Sequence, residues 1–151
     1  MEIIKISPNI EIRSVPLELN IIKSLEMIIF GSSRATASRV EKIRQQGALL
    51  LIAYDGMRPI GFKLGYGLAD GHTFFSWLGG VDPNYRRQGV AQALLETQER
   101  HVKKMGIATL YFTSFDRFPA MILLGRKNGY VKVKTAVEGG EKKYWFEKQL
   151  L

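Results

Sequence analysis

Residues 81–92 read VDPNYRRQGVAQ, and most of what can be predicted from this sequence starts from them. The stretch ends an apolar segment typical of a β-strand and begins an amphipathic pattern typical of a helix. A proline turn, two arginines and one glycine lie between the two. A loop that joins a strand to a helix in this way directs several backbone N–H groups toward the positive end of the helix dipole. The stretch therefore predicts a binding site for a phosphate-bearing ligand.

The composition is typical of one compact domain, and we predict a single domain over residues 1–151. Hydrophobic residues make up 46% of the chain and charged residues 24%, both ordinary values for a globular protein. No stretch has the length and apolar character of a signal peptide or a membrane span, so no membrane partner is expected. The absence of cysteine excludes disulfides and a thiol nucleophile, and it favours the cytoplasm. The two histidines, His72 and His101, are far apart in sequence, so no metal is expected.

The net charge of +8 predicts an anionic partner without identifying it. A protein that binds nucleic acid usually concentrates its basic residues in an arm or stripe. Here they are dispersed in short doublets, which argues against nucleic acid as the partner. A nucleic-acid-associated protein is therefore the least favoured of our three hypotheses, and the other two are given at the end of this subsection.

The apolar periodicity predicts a mixed sheet covered by helices. One helix begins near Pro16 and carries Ile21, Ile22, Leu25, Ile28 and Ile29 on its apolar face. The helix after the loop presents Ala91, Leu94, Leu95, Gln98, Val102 and Met105. The predicted strands lie at residues 10–15, 48–54, 60–68, 73–81, 109–113, 130–137 and 143–148. The other two predicted helices lie at residues 35–46 and 119–127.

The loop has the chemistry to hold a pyrophosphate. Gly89 lets a ligand approach the backbone closely because it has no Cβ, and Ala91 keeps the first helical turn thin. The amides of residues 87–92 would then point at the ligand, and the guanidinium group of Arg86 or Arg87 would add charge.

At this point the chain resembles the GNAT superfamily of acyl-CoA-dependent N-acyltransferases. Residues 86–91, RRQGVA, are similar to the family's coenzyme A pyrophosphate motif, Gln/Arg-x-x-Gly-x-Gly/Ala. Residues 78–83, LGGVDP, resemble the strand that hydrogen-bonds the pantetheine arm. Residues 122–130, ILLGRKNGY, resemble the helix that ends in Gly-Phe, and residues 144–148, YWFEK, resemble the closing strand.

The resemblance implies an α/β (α+β) fold with one mixed, mostly antiparallel central sheet of about seven strands, flanked by helices. It also implies acetyl-CoA as co-substrate, with a backbone amide near Gly80 or Val81 facing the oxyanion. The expected cofactor-binding residues are Gly80, Val81, Arg86, Arg87, Gln88, Gly89, Val90, Ala91 and Gln92. We also expect Gly79 and Gly80 to form a bulge that opens the sheet, with a weak edge strand as the alternative.

The catalytic residues of the family do not transfer to this chain. Gly125 stands where many members carry a tyrosine that acts as the general acid, and Phe118 stands where many carry an asparagine that contacts the cofactor. Residues 74–78, FFSWL, hold no carboxylate where members often place a general base. Asp116 and Tyr130 are the candidates that are left, although a turn or cap residue and a core aromatic are the respective alternatives.

The resemblance places the acceptor pocket near residues 30–39. Arg34 and Arg39 could bind a carboxylate or phosphate on the acceptor, and Trp77 could form a wall. Exposed arginines at helix starts and a core tryptophan are the alternatives.

The first hypothesis is therefore an acetyl-CoA-dependent N-acetyltransferase for a small amine or a peptide amine, acting by direct attack on the thioester. The second is an acyl-CoA-binding module that has lost catalysis. The sequence leaves the acceptor open, and a homodimer is one of the open oligomeric states.

Overall fold

The computed structural model describes residues 3–7 and 9–151 of the chain. Within these residues lie eight strands and four α-helices. The strands are β1 Ile3–Lys5, β2 Ile10–Val15, β3 Leu49–Asp55, β4 Arg58–Gly67, β5 Thr73–Val81, β6 Thr109–Phe115, β7 Val131–Glu138 and β8 Glu141–Gln149. The helices are α1 Leu19–Phe30, α2 Ala37–Arg44, α3 Val90–Lys104 and α4 Pro119–Lys127, with a short 3₁₀ turn at Pro83–Tyr85.

All the strands form one sheet, in the order β1-β2-β3-β4-β5-β6-β8-β7. β5 and β6 are parallel, and the other neighbouring pairs of the described chain are antiparallel. α3 connects β5 to β6, as parallel neighbours need a long crossover. The expected mixed, mostly antiparallel sheet flanked by helices is confirmed. β1 is additional to the expected strands because three residues are too few to show an alternating pattern.

Helices cover both faces of the sheet. Leu49 and Leu51 of β3 belong to an apolar cluster that includes residues of α3, whereas Leu50 and Ile52 belong to a second cluster with residues of α1 and α2. This alternation is the period of two expected of a strand. Burial on both faces explains why β3 is a continuous apolar run rather than an alternating one.

The first helix differs from its expected form in two ways. It begins after its N-cap Glu18, so Pro16 precedes the helix instead of lying in its first turn. The intervening Leu17 is buried, and its carbonyl accepts a hydrogen bond from Arg44 Nη1 at 2.7 Å. Ile28 is 51% exposed, because it lies six residues after the buried Ile22, a rotation of about 240° around the helix.

The helix after the loop follows its expected face in its central turns. Leu94, Leu95 and Val102 are buried, as is Gln98. Ala91 is exposed and Met105 is 44% exposed, contrary to expectation. Ala91 lies in the first turn and Met105 is the C-cap, so both lie at the ends of the helix.

Candidate active site

The sheet opens between its two parallel strands. β5 and β6 pair only at Thr73, Phe74 and Phe75, opposite Thr109, Leu110 and Tyr111. Beyond these pairs, β5 continues beside β4 alone, and β6 continues beside β8 alone. The result is a wedge between the two strands that widens toward Val81, and we call it the β5–β6 wedge.

A bulge lies where the wedge begins, but it is not at the expected glycines. Leu64 of β4 pairs with Leu78, and Gly65 pairs with Ser76, so Trp77 is the extra residue. The expectation of a bulge at Gly79 and Gly80 is therefore wrong.

Both glycines keep their register with β4, and at Gly80 the missing side chain serves helix packing. A Cβ atom at Gly80 would lie 2.7 Å from Ile29 Cγ2 and 2.9 Å from Phe30 Cζ. Glycine at this position thus allows the end of α1 to pack closely on the sheet.

Backbone amides of β5 point into the wedge. Asp82 donates its amide hydrogen to the Ile60 carbonyl at 2.7 Å, on the β4 side. Because successive amides of a strand alternate in direction, the amides of Val81 and Gly79 face the wedge. Of the two residues expected near the oxyanion, Val81 has the suitably directed amide, and that of Gly80 points toward β4.

The loop after β5 ends at an uncapped helix N-terminus. Arg87 has φ +64°, and Gly89, the N-cap of α3, has φ +81° and no side chain to satisfy the first amides. A Cβ atom at Gly89 would meet no atom within 4 Å, so the space beside it is open. Residues 86–89 are exposed. The free N–H groups at the positive end of a 15-residue helix favour an anion.

Two side chains hold this loop in place. Asp82 is buried, accepts a hydrogen bond from the Asn84 amide at 2.9 Å and pairs with Arg58 at 3.3 Å. Tyr85 donates its hydroxyl hydrogen to Asp55 Oδ2 at 2.6 Å. The loop is therefore fixed to the β3–β4 hairpin before any ligand binds.

Two expected cofactor-binding side chains are already engaged. Arg86 Nε donates to the Val81 carbonyl at 3.3 Å. Gln92 and Asn128 exchange two amide hydrogen bonds, at 2.7 and 2.8 Å, which join the start of α3 to the end of α4. The side chain of Gln92 is therefore bonded to Asn128, and its backbone amide is the group that faces the ligand position at the start of α3.

An open cleft lies beside α2, on the face of the sheet that α1 and α2 cover. Its volume is about 410 Å³, and it is lined by Arg34, Thr36, Ser38, Arg39, Lys42 and Trp77. Arg39 stacks on Trp77, with its guanidinium carbon 4.3 Å from the ring centroid, and donates to the Tyr66 hydroxyl at 2.7 Å. The structure thus brings Arg34, Arg39 and Trp77 together, as expected, and adds Lys42. We call this the basic cleft.

A buried carboxylate shapes the loop that carries Arg34. Glu26 of α1 is fully buried. Its oxygens accept hydrogen bonds from the Ser33 hydroxyl at 2.8 Å and from the amides of Arg34 and Ala35, both at 3.1 Å. This role was not predicted, although a carboxylate on the apolar face of a helix indicates a buried charge that is hydrogen-bonded.

The two candidate catalytic residues lie in different surroundings. Asp116 is exposed in the turn after β6 and accepts a hydrogen bond from Tyr144, which raises the pKa of that tyrosine. Tyr130 is buried and donates to Glu99 Oε2 at 2.8 Å. Burial and the nearby Glu99 charge raise the Tyr130 pKa. This arrangement favours a structural role for Tyr130.

A buried lysine on the α3 face was also missed. Lys63 of β4 is 8% exposed, and burial lowers its pKa from 10.5 to about 8, with the Glu99 carboxylate opposing part of that change. Its signal in the sequence is a lysine inside the apolar run of residues 60–64, IGFKL.

The model of the acetyltransferase (GNAT) family matches residues 19–130. The chain belongs to this family. Its members are acyltransferases, and the general activity of this acetyltransferase is acetyl transfer. A search of the curated proteins finds no match to the sequence.

Solved structures share the fold of this acetyltransferase at low sequence identity. The ribosomal-protein-S18-alanine N-acetyltransferase from Escherichia coli has a TM-score of 0.75 and 19% identity, covering 92% of this chain and 94% of that one. Ard1 from Thermoplasma volcanium has a TM-score of 0.78 and 14% identity, covering 95% and 99%. A GNAT acetyltransferase from Elizabethkingia anophelis with acetyl-CoA bound has a TM-score of 0.72 and 16% identity, covering 95% and 99%.

At Gly125, which the resemblance aligns with a tyrosine of other family members, the acetyltransferase has no space for a side chain. A Cβ atom at Gly125 would lie 2.6 Å from Phe112 Cζ, so the ring leaves no room for a side chain. Phe118 is 41% exposed and contacts the Arg117 guanidinium group, whose carbon lies 4.4 Å from the ring centroid.

Among residues 3–7 and 9–151 of this acetyltransferase, no helix has the length and apolar character needed to cross a membrane. Nor do these residues contain a group of three or more His, Cys, Asp or Glu side chains arranged for a metal ion.

Proposed function

We propose that the protein transfers an acetyl group from acetyl-CoA to a primary amine of a small molecule or a peptide. The observation that carries this proposal is the continuity of two features. The β5–β6 wedge widens toward Val81, and a loop of eight residues connects Val81 to the uncapped N-terminus of α3. Both features lie within the region that the family model matches. The cysteine-free sequence and the supply of acetyl-CoA favour the cytoplasm as the compartment.

The donor would bind along these two features. Its pyrophosphate would accept hydrogen bonds from the amides of residues 87–92. The exposed Arg87 would add its positive charge to that of the helix N-terminus. Its pantetheine arm would lie in the wedge and take the place of a strand beside β5, using the amides of Gly79 and Val81. The acetyl-CoA bound to the Elizabethkingia anophelis structure supports this assignment of the donor.

The reaction is direct attack of the amine on the thioester. The nitrogen lone pair forms a bond to the carbonyl carbon, and the carbonyl oxygen becomes an oxyanion that the Val81 amide can stabilise. The intermediate then collapses, the C–S bond breaks, and the sulfur leaves as a thiolate. The amine loses one proton and the thiolate gains one, so the products are the amide and coenzyme A. Alignment and one fixed amide supply most of the rate increase.

The proton steps need no dedicated side chain. The wedge side of β5 carries no carboxylate, and the Phe112 ring fills the space beside Gly125. A general base contributes about 10²- to 10⁴-fold, a factor that an aligned neutral amine can do without. Water at the open end of the wedge would accept the proton.

Replacing the N-cap glycine tests the donor site. We expect Gly89→Glu to abolish acetyl-CoA binding measured by calorimetry, because its carboxylate would occupy the phosphate position and repel the phosphates. Gly140→Glu is the matched control, since Gly140 also has φ +81° and open space at its Cβ, but it lies in the β7–β8 turn. Equal acetyl-CoA affinity in both variants would show that the donor binds elsewhere.

A catalytically impaired acyl-CoA-binding module is the second candidate, and Gly125 packed against Phe112 is the observation that favours it. Free thiol released from acetyl-CoA, measured with a panel of amines, separates the two. Release that depends on an amine supports the enzyme. Tight binding without release for any amine supports the module.

A further inference from the structure

The basic cleft carries charge of one sign. Its lining includes three cationic side chains, Arg34, Arg39 and Lys42, and no carboxylate. Among the described residues, none of these three forms an ion pair with an acidic side chain. The buried Glu26 accepts from the amide of Arg34 and not from its guanidinium group. The lining of the cleft therefore carries three positive charges and no negative charge.

The Arg39 side chain is oriented to bind an anion. Its guanidinium group stacks on Trp77 and donates one hydrogen bond to Tyr66, at 2.7 Å. The Tyr66 ring in turn makes edge contacts with Trp77 and Phe75. An arginine oriented in this way keeps further N–H groups for a ligand and loses little side-chain entropy when it binds.

The position of the cleft connects it to the wedge. Trp77 lines the basic cleft and is also the bulged residue of β5, at the point where β5 separates from β6. A ligand held by Arg39 over the Trp77 ring lies beside the beginning of the wedge. The cleft and the narrow end of the wedge therefore share Trp77, so an acceptor bound by Arg39 would lie next to the proposed donor site.

We propose that the acceptor is a small amine that carries an anionic group, a carboxylate or a phosphate, and that Arg39 with Arg34 binds this group. The inference rests on the proposed function, because it concerns the acceptor side of the same site. It also excludes polycationic acceptors, since three unpaired cations would repel them.

Matched amines test the acceptor class. The probes are O-phosphoethanolamine against ethanolamine, β-alanine against β-alaninamide, and spermidine as a polycation. We expect thiol release from acetyl-CoA with a kcat/KM at least about tenfold higher for the anionic member of a pair. The preference should weaken as salt is added. Equal or faster turnover of ethanolamine, β-alaninamide or spermidine would overturn the inference and leave the acetyltransferase activity standing.

Removing the arginine tests the residue. We expect Arg39→Ala to raise the KM of the preferred anionic amine by roughly 10- to 100-fold, with the KM of acetyl-CoA unchanged. Lys23→Ala is the control, because it removes one exposed positive charge from α1. Arg39→Lys keeps the charge and should recover part of the loss. An unchanged acceptor KM in both Arg39 variants would overturn the assignment.

Direct binding separates this inference from the proposed function. If no amine supports thiol release, the indole N–H signal of Trp77 in NMR spectra can be used to measure binding of O-phosphoethanolamine. Saturable binding that Arg39→Ala abolishes would support the anion site while the enzymatic proposal fails. Absence of both turnover and binding would overturn the anion site as well.

Discussion

At the scale of single residues, Lys63 is a charge buried by its strand position. Its neighbours in the sheet are apolar or glycine, with Leu51 on one side and Gly79 on the other. Burial lowers the Lys63 pKa to about 8, against 10.5 for an ordinary lysine. Below pH 8 the ammonium is charged in both the folded and unfolded states, and its desolvation destabilises the fold.

We expect this lysine to make stability depend on pH. Between pH 8 and 10.5 the unfolded chain binds more protons than the folded one, so the free energy of unfolding rises with pH. Lys63→Met should be more stable than the parent protein at pH 7, and the difference should shrink by about 3 kcal/mol by pH 10.5. Urea denaturation at several pH values measures the difference, with the exposed Lys23→Met as control. A difference that does not vary with pH would contradict the buried charge.

At the scale of elements, the connection between α1 and α2 is ordered by one carboxylate. Glu26 accepts three hydrogen bonds from residues 33–35. Thr36 then caps α2 by accepting from the Arg39 amide at 3.2 Å. The position of Arg34 in the basic cleft therefore depends on a group buried on the neighbouring helix, and Arg39 lies in the first turn of the helix that Thr36 caps.

Glu26→Gln should loosen this connection. The amide nitrogen that replaces one oxygen cannot accept a hydrogen bond, so a buried N–H group loses its partner. We expect the free energy of unfolding to fall by about 1–3 kcal/mol and the acceptor KM to rise, because Arg34 loses its fixed position. Denaturation and steady-state kinetics measure both effects. Glu18→Gln at the start of α1 is the control, since Glu18 makes no side-chain cap; parallel behaviour of the two variants would count against the role of Glu26.

At the scale of the whole molecule, the strands between the helix layers belong to both cores. Alternate residues of β3 belong to the α3 cluster and to the α1–α2 cluster, and β4 contributes Ile60 to the first cluster and Phe62 and Leu64 to the second. One layer of helices thus cannot separate from the sheet without exposing a face of the same strands. We propose that residues 1–151 form a single cooperative domain.

This proposal predicts one unfolding transition. Circular dichroism at 222 nm and fluorescence of Trp77 and Trp145 should report the same Tm. Acetyl-CoA should raise that Tm, because at a ligand concentration of 100 Kd it adds about 2.7 kcal/mol to the free energy of unfolding. Two transitions with different midpoints would indicate two folding units instead.

Much of the fold and half of the site could be predicted from local patterns. β2, β5 and α4 begin and end where periodicity and Pro119 predict. The strand–loop–helix arrangement of the proposed phosphate site could be predicted because its glycine, its arginines and the residues that begin the helix lie within residues 81–92. Local backbone geometry and periodicity need only neighbouring residues, so a single sequence expresses them.

The rest depends on contacts between residues far apart in the chain. The bulge at Trp77 rather than at the two glycines depends on the register between β4 and β5, and on α1 packing against Gly80. The basic cleft needs Trp77 of β5 to meet Arg39 of α2, and its order needs Glu26 of α1. Most of the strands and helices, and the loop between β5 and α3, follow from local sequence patterns. The place where the sheet opens and the set of cations that share one cleft depend on packing between elements that are distant in the chain.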